Sequence, residues 1–149
     1  MAFLGSLDIV GSALTAERFR MDISLQNMAN AKTTRTQDGT PYRRQQVVFE
    51  ERKLDFNSAL EQANSAMQTA GSVSGGVRVA DVVKSDRDFL PVYDPTHPHA
   101  NEEGYVLYPN VDRTEEMLDL MTASNAYEAN LTVLSVMKAM INKTIEFNK

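Results

Sequence analysis

Cysteine is missing from all 149 residues. That removes disulfides, thiolate nucleophiles and cysteine-based zinc or iron–sulfur sites. No apolar run approaches the ~20 residues of a membrane-spanning helix. The opening MAFLGSLDIV has no basic residue ahead of its apolar part and meets Asp8 early, so a cleaved secretory signal peptide is not expected. Excess positive charge is lacking too. The formal net charge is −5, which argues against generic binding to nucleic acid or an anionic membrane surface. The Arg43–Arg44 pair beside Tyr42 is too small for a nucleic-acid patch.

Signatures of catalysis are also absent. The chain has no G-x-S-x-G elbow, no P-loop and no G-x-G-x-x-G fingerprint. Its carboxylate pairs, Glu50–Glu51 and Glu115–Glu116, are adjacent in sequence and so point in different directions on a strand or a helix. They read as solvated surface or helix-start charge. Histidine is scarce, and both residues, His97 and His99, lie in the stretch DPTHPHANEEGY at 94–105. With Asp94, Glu102 and Glu103 they resemble a divalent-metal set. Pro95 and Pro98, however, impose extended backbone, and a polar loop between two strands has this same composition. No metal ligand, catalytic residue or cofactor is assigned, and no enzyme is expected.

What the chain does have is helical periodicity at both ends. Leu7, Val10, Leu14, Arg18, Met21, Leu25 and Met28 follow one another at intervals of three and four, nearly a heptad seam with Arg18 its one charged intruder. Ser6 is the expected N-cap. A longer seam runs through Met117, Leu120, Ser124, Tyr127, Leu131, Leu134, Lys138, Ile141 and Ile145. Asp112 with Glu115 makes a capping-box-like start to it, and residues 112–149 contain neither glycine nor proline. Met121, Met137, Met140, Ile9 and Ile23 widen the apolar surface beyond one two-stranded seam. That surplus points to partners outside the chain.

Asn27 and Asn30, set among alanines near the end of the first helix, echo Asn125 and Asn130 in the second. Asparagine beside a helix seam restricts register at a cost in stability. Between the helices, residues 46–50, 77–83, 89–93 and 105–108 read as strands. Phe56, Leu60, Ala63 and Met67 have the spacing of one short helix. The expected fold is therefore α+β: a long antiparallel N- and C-terminal helix pair, a coiled-coil stalk, with a small β-rich central module. Residues 1–34 and 112–149 form the paired helices and residues 35–111 the module, with a variable loop at about 53–76. Acidity collects in the middle, with net −6 over 47–112 against +2 over 1–46 and −1 over 113–149.

Four stretches together resemble the bacterial flagellar basal-body rod proteins. They are SALTAERFRMDISLQNMANA at 12–31, GTPYRRQQVVFE at 39–50, VYDPTHPHANEEGYVLYPNVD at 92–112 and MTASNAYEANLTVLSVMKAMINKT at 121–144. The third is similar to the proximal-rod subunit in particular, and the likeness is weakest over about 53–75. The resemblance implies a non-enzymatic axial building block of the proximal rod, the drive shaft around the export channel. Such a subunit would leave the cell through the flagellar type III export apparatus without a cleaved signal and lie in the periplasm-spanning rod of the basal body. Its implied partners are other copies of itself, the rod proteins FlgB, FlgF and FlgG, and FliE. The implied assembly interface is the two seams with their asparagines: Leu7, Val10, Leu14, Met21, Leu25, Asn27, Met28, Asn30, Met117, Leu120, Ser124, Tyr127, Asn130, Leu131, Leu134, Ile141 and Ile145. The reading from another class is a small cytosolic helical adaptor or metal-binding regulator working through the His97–His99 loop.

Overall fold

Helix α1 spans Ala2–Ala29, so the run of helix-compatible residues from the N-terminus is used in full. Ser6 lies inside α1 rather than capping it, a correction to the sequence expectation. The apolar residues ahead of Ser6 extend the helix by one turn instead of forming a lead-in. The computed structural model of the chain describes residues 2–52 and 75–147, with the backbone alone for residues 2–4. The expected short helix at Phe56–Met67 lies outside the described residues, as does all but the last two positions of the expected variable loop.

Among the described residues four strands follow: β1 (Gln45–Glu51), β2 (Val77–Lys84), β3 (Leu90–Tyr93) and β4 (Tyr105–Tyr108). They form two two-stranded sheets, β1 with β2 and β3 with β4. Arg52 N–H donates to the Gly76 carbonyl at one end of the first sheet, and Ser85 N–H to the Arg44 carbonyl at the other. Those two strands are thus antiparallel. In the second sheet Leu90 lies opposite Tyr108 and Tyr93 opposite Tyr105.

Helix α2 runs over Arg113–Phe147, 35 residues without a breaker. Asp112 caps it as expected, its Oδ1 accepting from Thr114 N–H at 2.8 Å. The capping box is only half made. Glu115 does not turn back to the cap but pairs with Arg87, at 2.8 and 3.3 Å. Along α2 the hydroxyls of Thr122, Thr132, Ser135 and Thr144 each donate to a carbonyl three or four residues earlier in the same helix. The architecture is α+β, with two long helices and a small β part between them in sequence.

The chain divides into two compact units. One comprises Met1–Arg18, Phe49–Ala80 and Ser124–Lys149; the other comprises Phe19–Val48 and Asp81–Ala123. In the first, Ser12 ties α1 to the start of β2. Its Oγ accepts from Val77 N–H at 3.1 Å and donates to the Ile9 carbonyl at 2.7 Å. Gly76 has φ of +138°, and a Cβ there would sit 2.7 Å from Ser12 Oγ, so both conformation and space demand glycine. Asp8 with Arg52 and Glu50 with Arg78 are exposed ion pairs, of the kind that adds little stability.

Candidate functional site

In the second unit the chain buries polar groups where a core would normally be apolar. Asn27 is 0% exposed and Glu116 1%, and Ser24, Arg44 and Asn110 are buried with them. Two local patterns deliver these groups. Tyr42 and Arg44 are two apart in extended chain and so face the same way. On α2, Glu116 and Asp119 are three apart, with Ala123 one turn further along the same face.

Asn27 uses its whole hydrogen-bonding capacity. Its Nδ2 donates to the Gln45 carbonyl at 2.8 Å and to Glu116 Oε2 at 3.0 Å. Its Oδ1 accepts from Tyr42 O–H at 2.8 Å and from Gln45 N–H at 3.0 Å. Two donors and two acceptor sites are all that an amide side chain has. The other Glu116 oxygen, Oε1, accepts a hydrogen bond from Arg44 Nε. Arg44 also reaches Asp119 at 3.0 Å and Glu115 at 3.4 Å, and Arg20 of α1 reaches Asp119 at 3.4 Å. Arg44 N–H donates to Asn110 Oδ1 at 2.8 Å, and Asn110 Nδ2 in turn holds the Arg87 carbonyl at 2.8 Å.

The set is electrically balanced: Arg20, Arg44 and Arg87 face Glu115, Glu116 and Asp119. Because 27 meets 116 while 20 meets 119, α1 and α2 run antiparallel within this unit. Burial, and secondarily the Glu116 carboxylate, raise the Tyr42 phenol above its ordinary value of 10.0. The Glu115 carboxylate, by hydrogen bond and charge, raises Arg87. Arg43 lies outside the network, its guanidinium 4.6 Å from the centre of the Phe89 ring. One sequence reading is corrected here: Glu116 is not solvated helix-start charge but a buried carboxylate.

The inward line of each helix lies beside the expected seam. On α1 the buried positions are Ala16, Ile23, Ser24 and Asn27, while Leu25 is exposed. On α2 Glu116 and Ala123 are buried. Leu120, Ser124, Tyr127, Asn130, Leu134 and Ile141 are half-buried, and Met117, Leu131 and Ile145 are exposed. Ala16, Ser24 and Ala123, all buried, carry small side chains. Leu7, Val10, Leu14, Met21 and Met28 are half-buried. Asn30 serves its own helix end, its Nδ2 donating to the Gln26 carbonyl at 3.0 Å and its Oδ1 accepting from Thr33 O–H at 3.1 Å. The structure thus brings Asn27 together with Tyr42, Arg44 and Glu116, while Asn30 bonds only within its own helix end.

In the first unit α2 bears a second apolar stripe. Val133, Val136, Met140 and Phe147 are 46%, 53%, 56% and 81% exposed. At about 100° per residue they fall within roughly 60° of one another, about 130° around the helix from the half-buried line through Tyr127, Leu134 and Ile141. Met140 was legible in the sequence as surplus apolar surface. Val133, Val136 and Phe147 were not, although their intervals of three, four and seven carry the signal.

The histidine loop is occupied with its own bonds. His99 N–H donates to His97 Nδ1 at 3.1 Å, and His99 Nδ1 lies 3.0 Å from Thr34 Oγ1. Asp94 accepts from both Thr96 N–H and Thr96 O–H, which lower it below its ordinary value of 3.8. Among the described residues no three histidine or acidic side chains gather as a metal site.

Comparison with known proteins covers the whole chain. The chain is 43% identical over 153 residues to the flagellar basal-body rod protein FlgC of Bacillus subtilis (strain 168), spanning 100% of both chains. It is 43% identical to the FlgC of Escherichia coli O6:H1, over 97% of each, and 38% identical to that of Borreliella burgdorferi, also over 97% of each. Residues 102–147 match the family described as flagellar basal body rod FlgEFG protein C-terminal.

Proposed function

The chain belongs to the FlgC family of flagellar basal-body rod proteins and is a structural subunit of that rod, and we propose that it joins its neighbours through the apolar helix faces it leaves open. The observation that carries this reading is the exposed stripe Val133–Val136–Met140–Phe147. A helix with one apolar stripe packs once, whereas a helix with two requires a second partner. The exposed seam residues Leu25, Met117, Leu131 and Ile145 extend the surface available for such packing.

The energetics favour many contacts over one. Apolar burial is worth about 25 cal/mol per Å², and each ordered residue costs about 1–2 kcal/mol of backbone entropy. A single helix contact gains little, while a subunit surrounded by neighbours gains on every face. Contacts between non-equivalent surfaces propagate as a helical array rather than closing as a dimer. The neighbours are further copies and other rod components, with FlgB, FlgF, FlgG and FliE the expected set. The subunit works in the basal body, in the periplasm-spanning rod, and reaches it through the flagellar type III export apparatus without a cleaved signal. In this role Asn27, together with Arg44 and Glu116, keeps α1 and α2 in one register inside each subunit, so that the outward seams present a fixed pattern.

The test is complementation in the source bacterium after deletion of its own copy. The parent chain restores swimming and complete rods. A Val136→Glu, Met140→Glu double variant, secreted to the same level and with the same helicity when purified, leaves cells without complete rods. Normal rods in that variant would overturn the proposed contact face, and complete flagella in the deletion strain would overturn the rod role itself.

A further inference from the structure

A groove of about 390 Å³ in the second unit lies between residues 34–41 and the outer edge of β4. It plays no part in the network around Asn27. Its walls include Arg35, Pro41, His99, Asn101, Tyr105 and Leu107, and no aspartate or glutamate lines it. Arg35 is exposed and forms no ion pair with any described residue. In a chain of net charge −5, this is a local concentration of hydrogen-bond donors facing apolar proline and leucine.

The register of the hairpin adds a main-chain element. Asp94 N–H donates to the Gly104 carbonyl, so the alternating ladder makes Val92–Val106 and Leu90–Tyr108 the hydrogen-bonded pairs. The backbone groups of Tyr105 and Leu107 therefore point away from β3. Pro91, opposite Leu107, sits where its missing N–H costs nothing. Asn101 already takes both outward groups of Tyr105, its Oδ1 accepting the N–H at 2.7 Å and its N–H donating to the carbonyl at 2.9 Å. Leu107 is the next outward pair along the edge. Leu107 lines the groove, and its outward N–H and C=O have no partner among the described residues.

We propose that this groove docks an extended peptide segment bearing a carboxylate, whose main chain pairs with Leu107 as an added strand and whose acid meets the Arg35 guanidinium. Strand addition to a sheet edge supplies affinity through the main chain, and side-chain pockets supply selectivity. Arginine is suited to the second task because its fork of donors matches both carboxylate oxygens. Pro41, Tyr105 and the Leu107 side chain accept the apolar flanks of such a segment. The site stands apart from the helix faces, and the inference does not rest on the rod assignment.

The experiment uses the full purified chain and a fluorescein-labelled heptapeptide of alternating threonine and valine with a central glutamate, N-acetylated and C-amidated. A second peptide carries glutamine in place of the glutamate. The glutamate peptide is expected to bind about tenfold more tightly, and the difference to shrink as salt is raised. Arg35→Gln removes the preference while leaving the circular dichroism spectrum unchanged, and Leu107→Pro weakens both peptides alike. Sodium acetate does not displace the glutamate peptide at concentrations where sodium chloride leaves it bound. Equal binding of the two peptides, a preference that survives Arg35→Gln, displacement by acetate, or no binding of either peptide would each overturn the proposal. None of these outcomes bears on rod assembly, which the motility experiment reads separately.

Discussion

Arg44 and Glu116 form a buried ion pair across 72 residues of sequence, the arginine side chain 3% and the glutamate 1% exposed. The pair joins the extended segment before β1 to the first turn of α2. Two desolvated charges stand to lose more by separation than an exposed pair does, because neither has water to fall back on. Around them Asn27 and Tyr42 on one side, and Asp119 and Asn110 on the other, complete the hydrogen bonding.

Removing one partner of this pair is expected to be costly. Glu116→Ala leaves Arg44 buried beside Asn27 and should lower stability by about 3–5 kcal/mol. The double variant Arg44→Met, Glu116→Leu should cost clearly less than the sum of its single changes, since it leaves neither charge stranded. Urea denaturation followed by circular dichroism reads both. Strict additivity would show that the two side chains are not coupled.

The two asparagines of α1 should respond differently to the same change. Asn27→Leu strands Tyr42 O–H, both main-chain groups of Gln45 and one Glu116 oxygen. At about 1–3 kcal/mol for each unsatisfied buried group, most of the second unit's stability is at stake. Asn30→Leu removes only local bonds at a part-exposed helix end, so its effect should stay below about 1 kcal/mol. Thermal melts of the two variants decide. Similar melting temperatures would contradict the assignment of Asn27 as the centre of the network.

Alkaline pH should loosen the same region. The Tyr42 phenol is raised above 10.0 by burial first and by the Glu116 carboxylate second. A group with a raised folded-state pKa contributes stability that is fully present below its unfolded value and is lost as pH rises through the folded one. The folded chain therefore keeps the Tyr42 proton that the unfolded chain releases above pH 10.0, and stability falls from there upward. Tyr42→Phe should start less stable at neutral pH, having lost the bond to Asn27, yet show a shallower alkaline decline. Equal slopes in the two proteins between pH 9 and pH 11, about one unit either side of the ordinary tyrosine value, would count against this account.

Periodicity gave away the helices and strands because each obeys a local rule. The run without breakers over 113–147 defined α2, and Asp112 marked its start. The strand read at 105–108 is β4, Tyr105–Tyr108, with the same bounds. The network was less legible. Asn27 drew notice as a polar residue among alanines, but its partners are 15, 18 and 89 residues away. No local pattern ties a residue to a partner that tertiary packing supplies. Glu116 looked like helix-start charge because it shares the first turn of α2 with Glu115. Only the shared face with Asp119 and Ala123 hinted at its burial.

The hydroxyls of Thr122, Thr132, Ser135 and Thr144 are all spent on the carbonyls of their own helix. The three threonines therefore turn methyl groups rather than free hydroxyl protons outward, and at their positions offer a neighbour few directional bonds. Contacts at such positions are selected by shape more than by bond geometry. Fidelity of alignment then has to be kept on the other side of the helix, where Glu116 is held by Asn27 and Arg44.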